Sequence, residues 1–167
     1  MLLKKIFLIT LCSLFFFLEY AAAQQHNLSD STNNKTSIKI FKDENGIAIK
    51  GYDPVAYFTE NAALNGKPEF SYKYNNAVWQ FINEKHLKMF EKNPGKYIPQ
   101  YGGYCAYGIS HKAWLVKTDP TAWKIVDGKL YFNLDKSYNK AWMKDPWKNI
   151  AVGNTVWNKL NNNAQKK

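Results

Sequence analysis

The sequence predicts an α+β fold, in which small antiparallel hairpins pack with a short central helix and a helical C-terminal part. The first observation is that segments of alternating apolar and polar residues flank turn residues, as at Asn75-Asn76 and Asp127-Gly128. This arrangement is typical of β-hairpins. The second observation is the helical spacing of apolar residues between the last two hairpins and again after Asp135, which favours helices there.

Three hairpins are expected. The turn of each contains asparagine, aspartate or glycine, residue types that tolerate the left-handed dihedrals of a tight reversal. Asp53-Pro54 marks a further reversal, which leads into a short apolar segment. The predicted hairpins span residues 38–50, 69–82 and 122–134.

The central helix is predicted to run from Glu84 to about Lys92. Asn83 precedes it, and its side-chain oxygen can accept a hydrogen bond from an otherwise unpaired backbone N–H of the first turn. Leu87 and Phe90 would form the inner face of this helix, because they lie three residues apart. His86 would lie one step round, on the surface or half-buried.

The remaining segments divide the chain into a leader, a tether, one domain and a tail. Residues 1–23 combine Lys4-Lys5, an apolar run and Ala21-Ala22-Ala23, which is the pattern of a signal peptide. We therefore expect an exported protein, periplasmic or secreted, with no transmembrane anchor after cleavage. The polar residues 24–36 are predicted to be a flexible tether, residues 37–160 the domain with further helices near 138–142 and 150–160, and residues 161–167 a frayed tail.

The charge of the chain argues against a nucleic-acid partner. The formal net charge is +10, and all 23 basic residues are lysines. Arginine, whose planar fork grips phosphates in two places, is absent from the sequence. The spread of the lysines is typical of a solvated surface and leaves open a weak attraction to an anionic membrane surface.

Cys105 is the only cysteine after the leader, so the mature chain can form no internal disulfide. It lies in the stretch from Tyr97 to Gly108, which is dense in tyrosine and glycine. The thiol is a buried inert group, an intermolecular partner, or a reactive or ligating group. The residues expected to shape this loop are Tyr101, Gly102, Gly103, Tyr104 and Tyr107.

Three segments together resemble the YHS family. They are Gly51-Tyr-Asp-Pro-Val-Ala-Tyr-Phe58, the stretch from Trp79 through His86 to Asn93-Pro94-Gly-Lys-Tyr97, and Tyr101-Gly-Gly-Tyr-Cys-Ala106. The last resembles a longer exported subgroup of that family. The resemblance implies a compact α+β domain that handles transition metals. At the three cysteine positions of the metal-associated members, this chain has Ala56, Ile82 and His86.

A copper or zinc site is therefore the first functional hypothesis. Its candidate ligands are Cys105, His86, His111 and Asp53, because thiolate and imidazole suit these metals. The alternative is a metal-free, aromatic-lined binding module for a small ligand or a protein partner. An enzyme is less favoured, since no histidine is tied by sequence to Cys105 as a base, and we identify no catalytic residue.

Overall fold

Two β-hairpins are separated and flanked by helices along residues 38–163, the part of the chain that the computed structural model describes. Strand β1 (Lys67–Tyr74) pairs with β2 (Ala77–Phe81), and β3 (Asp119–Val126) pairs with β4 (Lys129–Asn133), both antiparallel. The helices are α1 (Ala56–Thr59), α2 (Glu84–Lys92), α3 (Pro94–Tyr97), α4 (Ala106–Lys112), α5 (Lys136–Trp142) and α6 (Pro146–Asn163). The predicted α+β class is confirmed.

The second and third predicted hairpins are present, and their turns have the expected backbone. Asn75 and Asn76 have φ values of 49° and 58°, and Asp127 and Gly128 have 51° and 66°. Positive φ at both central residues matches the right-handed twist of the flanking strands. Each hairpin also contains one register shift, which lies between Lys67 and Ser71 in the first of them and between Asp119 and Trp123 in the other.

The predicted hairpin over residues 38–50 forms only around its turn, where the Asp43 backbone N–H donates to Ile47 O at 3.0 Å and the Ile49 backbone N–H donates to Phe41 O at 3.2 Å. One isolated antiparallel bridge joins Lys42 to Ala48, and Ile47 also bridges in parallel to Val78 of β2. Ile49 and Lys50 have φ values of 43° and 57°, so the second arm leaves the extended conformation and forms a 3₁₀ turn at Ile49–Gly51. The second arm therefore pairs with the first arm only near the turn and also lies along the edge of β2.

Helix α2 begins and ends as predicted, with Asn83 at its N-cap. The Asn83 Oδ1 atom accepts a hydrogen bond from the His86 backbone N–H at 2.9 Å. The placement of His86 differs from the prediction, because its side chain is only 3% exposed, whereas Leu87 is half-buried. Phe90 is fully buried and contacts the rings of Trp79 and Phe81 of β2. These contacts fix helix α2 on the β1–β2 hairpin.

A second core cluster joins the β3–β4 hairpin to the C-terminal helices. Its buried members include Tyr101, Tyr131 and Trp142, and half-buried residues of α6 such as Trp157 pack against it. The Tyr131 and Trp142 ring centroids lie 5.0 Å apart. Around this cluster, α4 and α5 pack against β4, and α6 packs against α4.

Helix α6 is longer than predicted and continues to Asn163, so the expected frayed tail is wrong for residues 161–163. Asn161 Oδ1 accepts a hydrogen bond from the Lys39 backbone N–H at 3.2 Å, which gives the polar end of this helix a tertiary partner. The predicted signal peptide, the tether and residues 164–167 lie outside the described residues. Of the described helices, none has both the length and the apolar character that crossing a bilayer requires.

Candidate functional site

Cys105 lies at the N-terminus of α4, where its sulfur caps the helix. The Gly108 backbone N–H donates to Cys105 Sγ at 3.4 Å, and the thiol in turn donates to Asn133 Oδ1 at 3.9 Å. The residue is 2% exposed. Burial raises the pKa of the Cys105 thiol, and the Gly108 hydrogen bond opposes this only in part. The neutral thiol is therefore favoured, and a neutral thiol is a weak nucleophile.

An apolar pocket of about 190 Å³ lies beside this sulfur. Three of its lining residues are aromatic, two are aliphatic, and one is a lysine. The ring of Trp114 forms part of the wall and is 62% exposed. The pocket is lined by Cys105, Tyr107, Gly108, Lys112, Trp114, Val116, Leu134 and Tyr138.

The wall opposite α4 is held in place by main-chain contacts that require Gly108. Ala113 ends α4 in the left-handed conformation with φ of 55°. The Trp114 backbone N–H then donates to Gly108 O at 3.2 Å, and the Cys105 backbone N–H donates to Val116 O at 3.1 Å. A Cβ atom at Gly108 would lie 3.2 Å from both Trp114 O and Val116 Cγ2. A larger residue at this position would push the wall of the pocket away from the helix.

Asn133 supports the same region from β4. Its side chain is fully buried, and its Oδ1 atom accepts a hydrogen bond from the Tyr107 backbone N–H at 3.0 Å. The Asn133 Nδ2 atom has no hydrogen-bond partner among residues 38–163. Asn133 thus positions Cys105 and Tyr107 relative to β4.

Asp53 and His86 form a buried pair at a second location. The Asp53 Oδ2 atom lies 2.7 Å from His86 Nδ1 and accepts the Ile82 backbone N–H at 2.8 Å. The Asp53 Oδ1 atom accepts the backbone N–H groups of Val55 at 2.7 Å and Ala56 at 3.2 Å. Because an ionised carboxylate only accepts hydrogen bonds, His86 Nδ1 donates. Asp53 therefore connects the Asp-Pro reversal, the end of β2 and helix α2.

The other ring nitrogen of His86 faces the end of α1. His86 Nε2 lies 3.3 Å from Thr59 Oγ1 and 3.6 Å from Glu60 Oε1. The Thr59 hydroxyl donates to Val55 O at 3.1 Å, so its proton is not directed at His86 Nε2. The Thr59 hydroxyl, the His86 imidazole and the Asp53 carboxylate lie in a spatial series like that of a hydrolase triad. The Thr59 hydroxyl proton, however, points to the Val55 carbonyl and not to the imidazole. The arrangement is better described as an imidazole between two carboxylates.

His111 lies on the last turn of α4. Its exposed ring stacks on Tyr107 with a centroid distance of 3.9 Å. His111 Nδ1 lies 2.9 Å from Ser110 Oγ. His111 therefore buttresses a pocket residue.

The four predicted ligands separate into two places. Asp53 and His86 come together, whereas the hydrogen-bond partners of Cys105 belong to α4 and β4. Among residues 38–163, no group of three or more His, Cys, Asp or Glu side chains is placed to hold a metal ion. A metal ion bound by Cys105 and His86 together stays a prediction.

The loop residues predicted to shape the site also separate. Tyr107 lines the pocket. Gly102 O accepts the Phe41 backbone N–H at 2.8 Å, and the Tyr101 hydroxyl donates to Asn154 Oδ1 at 3.2 Å. Tyr101 and Gly102 thus join the N-terminal segment to α6. Gly103 O accepts a hydrogen bond from the Thr118 hydroxyl, and Tyr104 packs on Phe41.

Sequence reasoning missed most of the pocket wall. Trp114 and Val116 follow α4 in a segment without periodicity, and Leu134 and Tyr138 were interpreted only as strand and helix residues. The apolar run Ala113-Trp-Leu-Val116 within a polar stretch was the available signal. No family model, curated protein or solved structure matches this chain, so the functional argument depends on these contacts.

Proposed function

We propose that this protein is a metal-free binding module that takes up a small apolar ligand in the aromatic pocket beside Cys105. The observation that carries the proposal is the pocket itself, with its volume of about 190 Å³ and its wall of Tyr107, Trp114, Val116, Leu134 and Tyr138. An apolar cavity of about 150 Å³ is large enough for benzene. The ligand class is therefore a single aromatic ring or an aliphatic group of similar size.

Cys105 contributes a contact surface and not a reaction in this proposal. Its pKa is raised by burial, and its hydrogen-bond partners are Gly108 and Asn133. Neither partner is a base that could remove the thiol proton, which a nucleophilic cysteine requires. Binding without covalent chemistry fits these surroundings.

The wider context of the proposal comes from the sequence. The signal-peptide pattern supports export to a periplasmic or extracellular space, and the YHS-like segments support membership of that family. The lysine-only charge supports a partner other than nucleic acid.

Binding of toluene to the mature protein tests the proposal. We expect a saturable thermal stabilisation by toluene. Trp114→Ala should weaken the affinity for toluene by about fivefold, because an aromatic contact contributes on the order of 1 kcal/mol. Trp147→Ala is the matched control, since Trp147 is 63% exposed and lies outside the pocket lining. Absence of saturation, or an equal loss in both variants, would contradict the proposal.

Copper or zinc binding at His86 is the second candidate. A carboxylate that accepts the Nδ1 proton commonly orients a metal-binding imidazole, and Asp53 lies 2.7 Å from His86 Nδ1. The Glu60 carboxylate, 3.6 Å from Nε2 and 47% exposed, is the second available donor. Zinc titration of the reduced protein separates the alternatives. Loss of binding in Glu60→Gln but not in Cys105→Ser favours this site, loss in Cys105→Ser favours a thiolate site, and no binding to the wild type removes both.

A further inference from the structure

A lysine-lined cleft of about 460 Å³ lies between β3 and α5. Lys136 and Lys140 are one helical turn apart and therefore share one face of α5, and Lys144 follows just after the helix ends. Lys124 reaches the same cleft from β3. The lining is completed by Asn139 and Met143.

All four of these lysines are exposed. None of the ion pairs recorded among residues 38–163 includes any of them. Asp135 and Asp145 lie near the two ends of α5, where they accept backbone N–H groups of Ser137 and Lys148, but neither lines the cleft. The lining of the cleft therefore carries four positive charges and no negative charge.

Asn139 fixes the two walls of the cleft, α5 and β3, to each other. Its Nδ2 group donates to Trp123 O at 2.9 Å, which ties α5 to β3 between the lysines. The Asn139 Oδ1 atom is buried and has no partner within the described part of the chain. This oxygen is a hydrogen-bond acceptor, so only the lysine ammonium groups around it can bind an anion.

We infer that this cleft binds a small, free polyanion that carries two or more phosphate groups. Several ammonium groups around one concave site match several oxyanion groups on one molecule, and lysine binds phosphate as a point charge. A free molecule is favoured over a lipid headgroup, because Met143 is the only apolar residue that lines the cleft and insertion into a bilayer needs a larger apolar contact. This site is separate from the aromatic pocket.

Calorimetric titration of the mature protein with tripolyphosphate at 150 mM salt tests the inference. The double variant Lys140→Gln/Lys144→Gln should bind about tenfold to thirtyfold more weakly, because an ammonium about 4 Å from an anionic charge in water contributes on the order of fivefold. The control is Lys85→Gln/Lys92→Gln, which removes the same charge from exposed positions of α2 and should bind as the wild type does.

Three results would overturn the inference. One is the absence of saturable binding to the wild type at this salt concentration. Another is equal weakening in both double variants, which would show a general charge effect. The third is loss of binding to phosphatidylglycerol vesicles in the cleft variant while tripolyphosphate neither binds nor competes, which would assign the lysines to a membrane surface.

Discussion

Replacing Asp53 with asparagine should be among the most destabilising nearly isosteric changes in this protein. Asp53 is fully buried, and its two oxygens accept four hydrogen bonds, three from backbone N–H groups and one from His86 Nδ1. Asparagine keeps one acceptor oxygen but turns an amide N–H₂ group toward two donors. We expect a loss of about 3–5 kcal/mol, because each buried donor left without an acceptor costs about 1–3 kcal/mol.

Urea unfolding followed by tryptophan fluorescence measures this loss. The midpoint should fall strongly while the slope with denaturant stays constant. Asp43→Asn is the matched control, since Asp43 Oδ1 also accepts two backbone N–H groups, from Asn45 and Ile47, but on an exposed turn. That change should cost less than about 0.5 kcal/mol, because asparagine forms the same turn. A loss below about 1 kcal/mol in Asp53→Asn would refute the assigned role of the carboxylate.

Two further predictions concern the backbone and alkaline pH. Gly102→Ala should cost more than about 3 kcal/mol or prevent folding, because a Cβ there would lie 1.8 Å from Lys39 O; Gly46→Ala, which has a similar positive φ but open space, should cost only about 1 kcal/mol in the same assay. Burial raises the pKa of Tyr57, whose hydroxyl donates to Pro120 O. The unfolded chain therefore loses this proton first, and the free energy of unfolding should fall above pH ~10 by up to about 1.4 kcal/mol per pH unit for this group. Tyr57→Phe should reduce that slope in urea titrations at pH 9–11, and an unchanged slope would contradict the assignment.

Elements with short-range signals were the ones that the sequence predicted well. Asn83 caps α2 with a residue only three positions away, and the Asn75-Asn76 and Asp127-Gly128 turns have their positive φ values built into two adjacent residues. Such signals act within one turn of chain, so the rest of the fold does not need to be known. The segment 38–50 was predicted only in part, because its arms pair with each other only near the turn and otherwise hydrogen-bond to β2 and to Gly102.

The contacts within the candidate site could not be predicted from local patterns, because they join residues that are far apart in the sequence. The sequence indicated Asp53 and His86 as candidate ligands, beside the simpler roles of a turn residue and a surface or half-buried helix residue. Nothing in the local pattern showed that they are partners 33 positions apart. It selected Cys105 as the centre of an aromatic loop, yet the rings around the sulfur include Trp114 and Tyr138, which come from outside that loop. Residues with ordinary local patterns became pocket residues only through the packing of α4 against β4 and α5.

The amino-acid sequence by itself therefore determined the α+β class, two hairpins with their turns, the capped central helix and the residues able to carry chemistry. Each of these follows from backbone preference or from periodicity over a few residues. Only the tertiary structure decided which side chains meet, because the Asp53–His86 pair, the wall of the Cys105 pocket and the lysine cleft are each formed by elements distant in the chain. Their contacts arise when the two apolar clusters pack and bring those elements together.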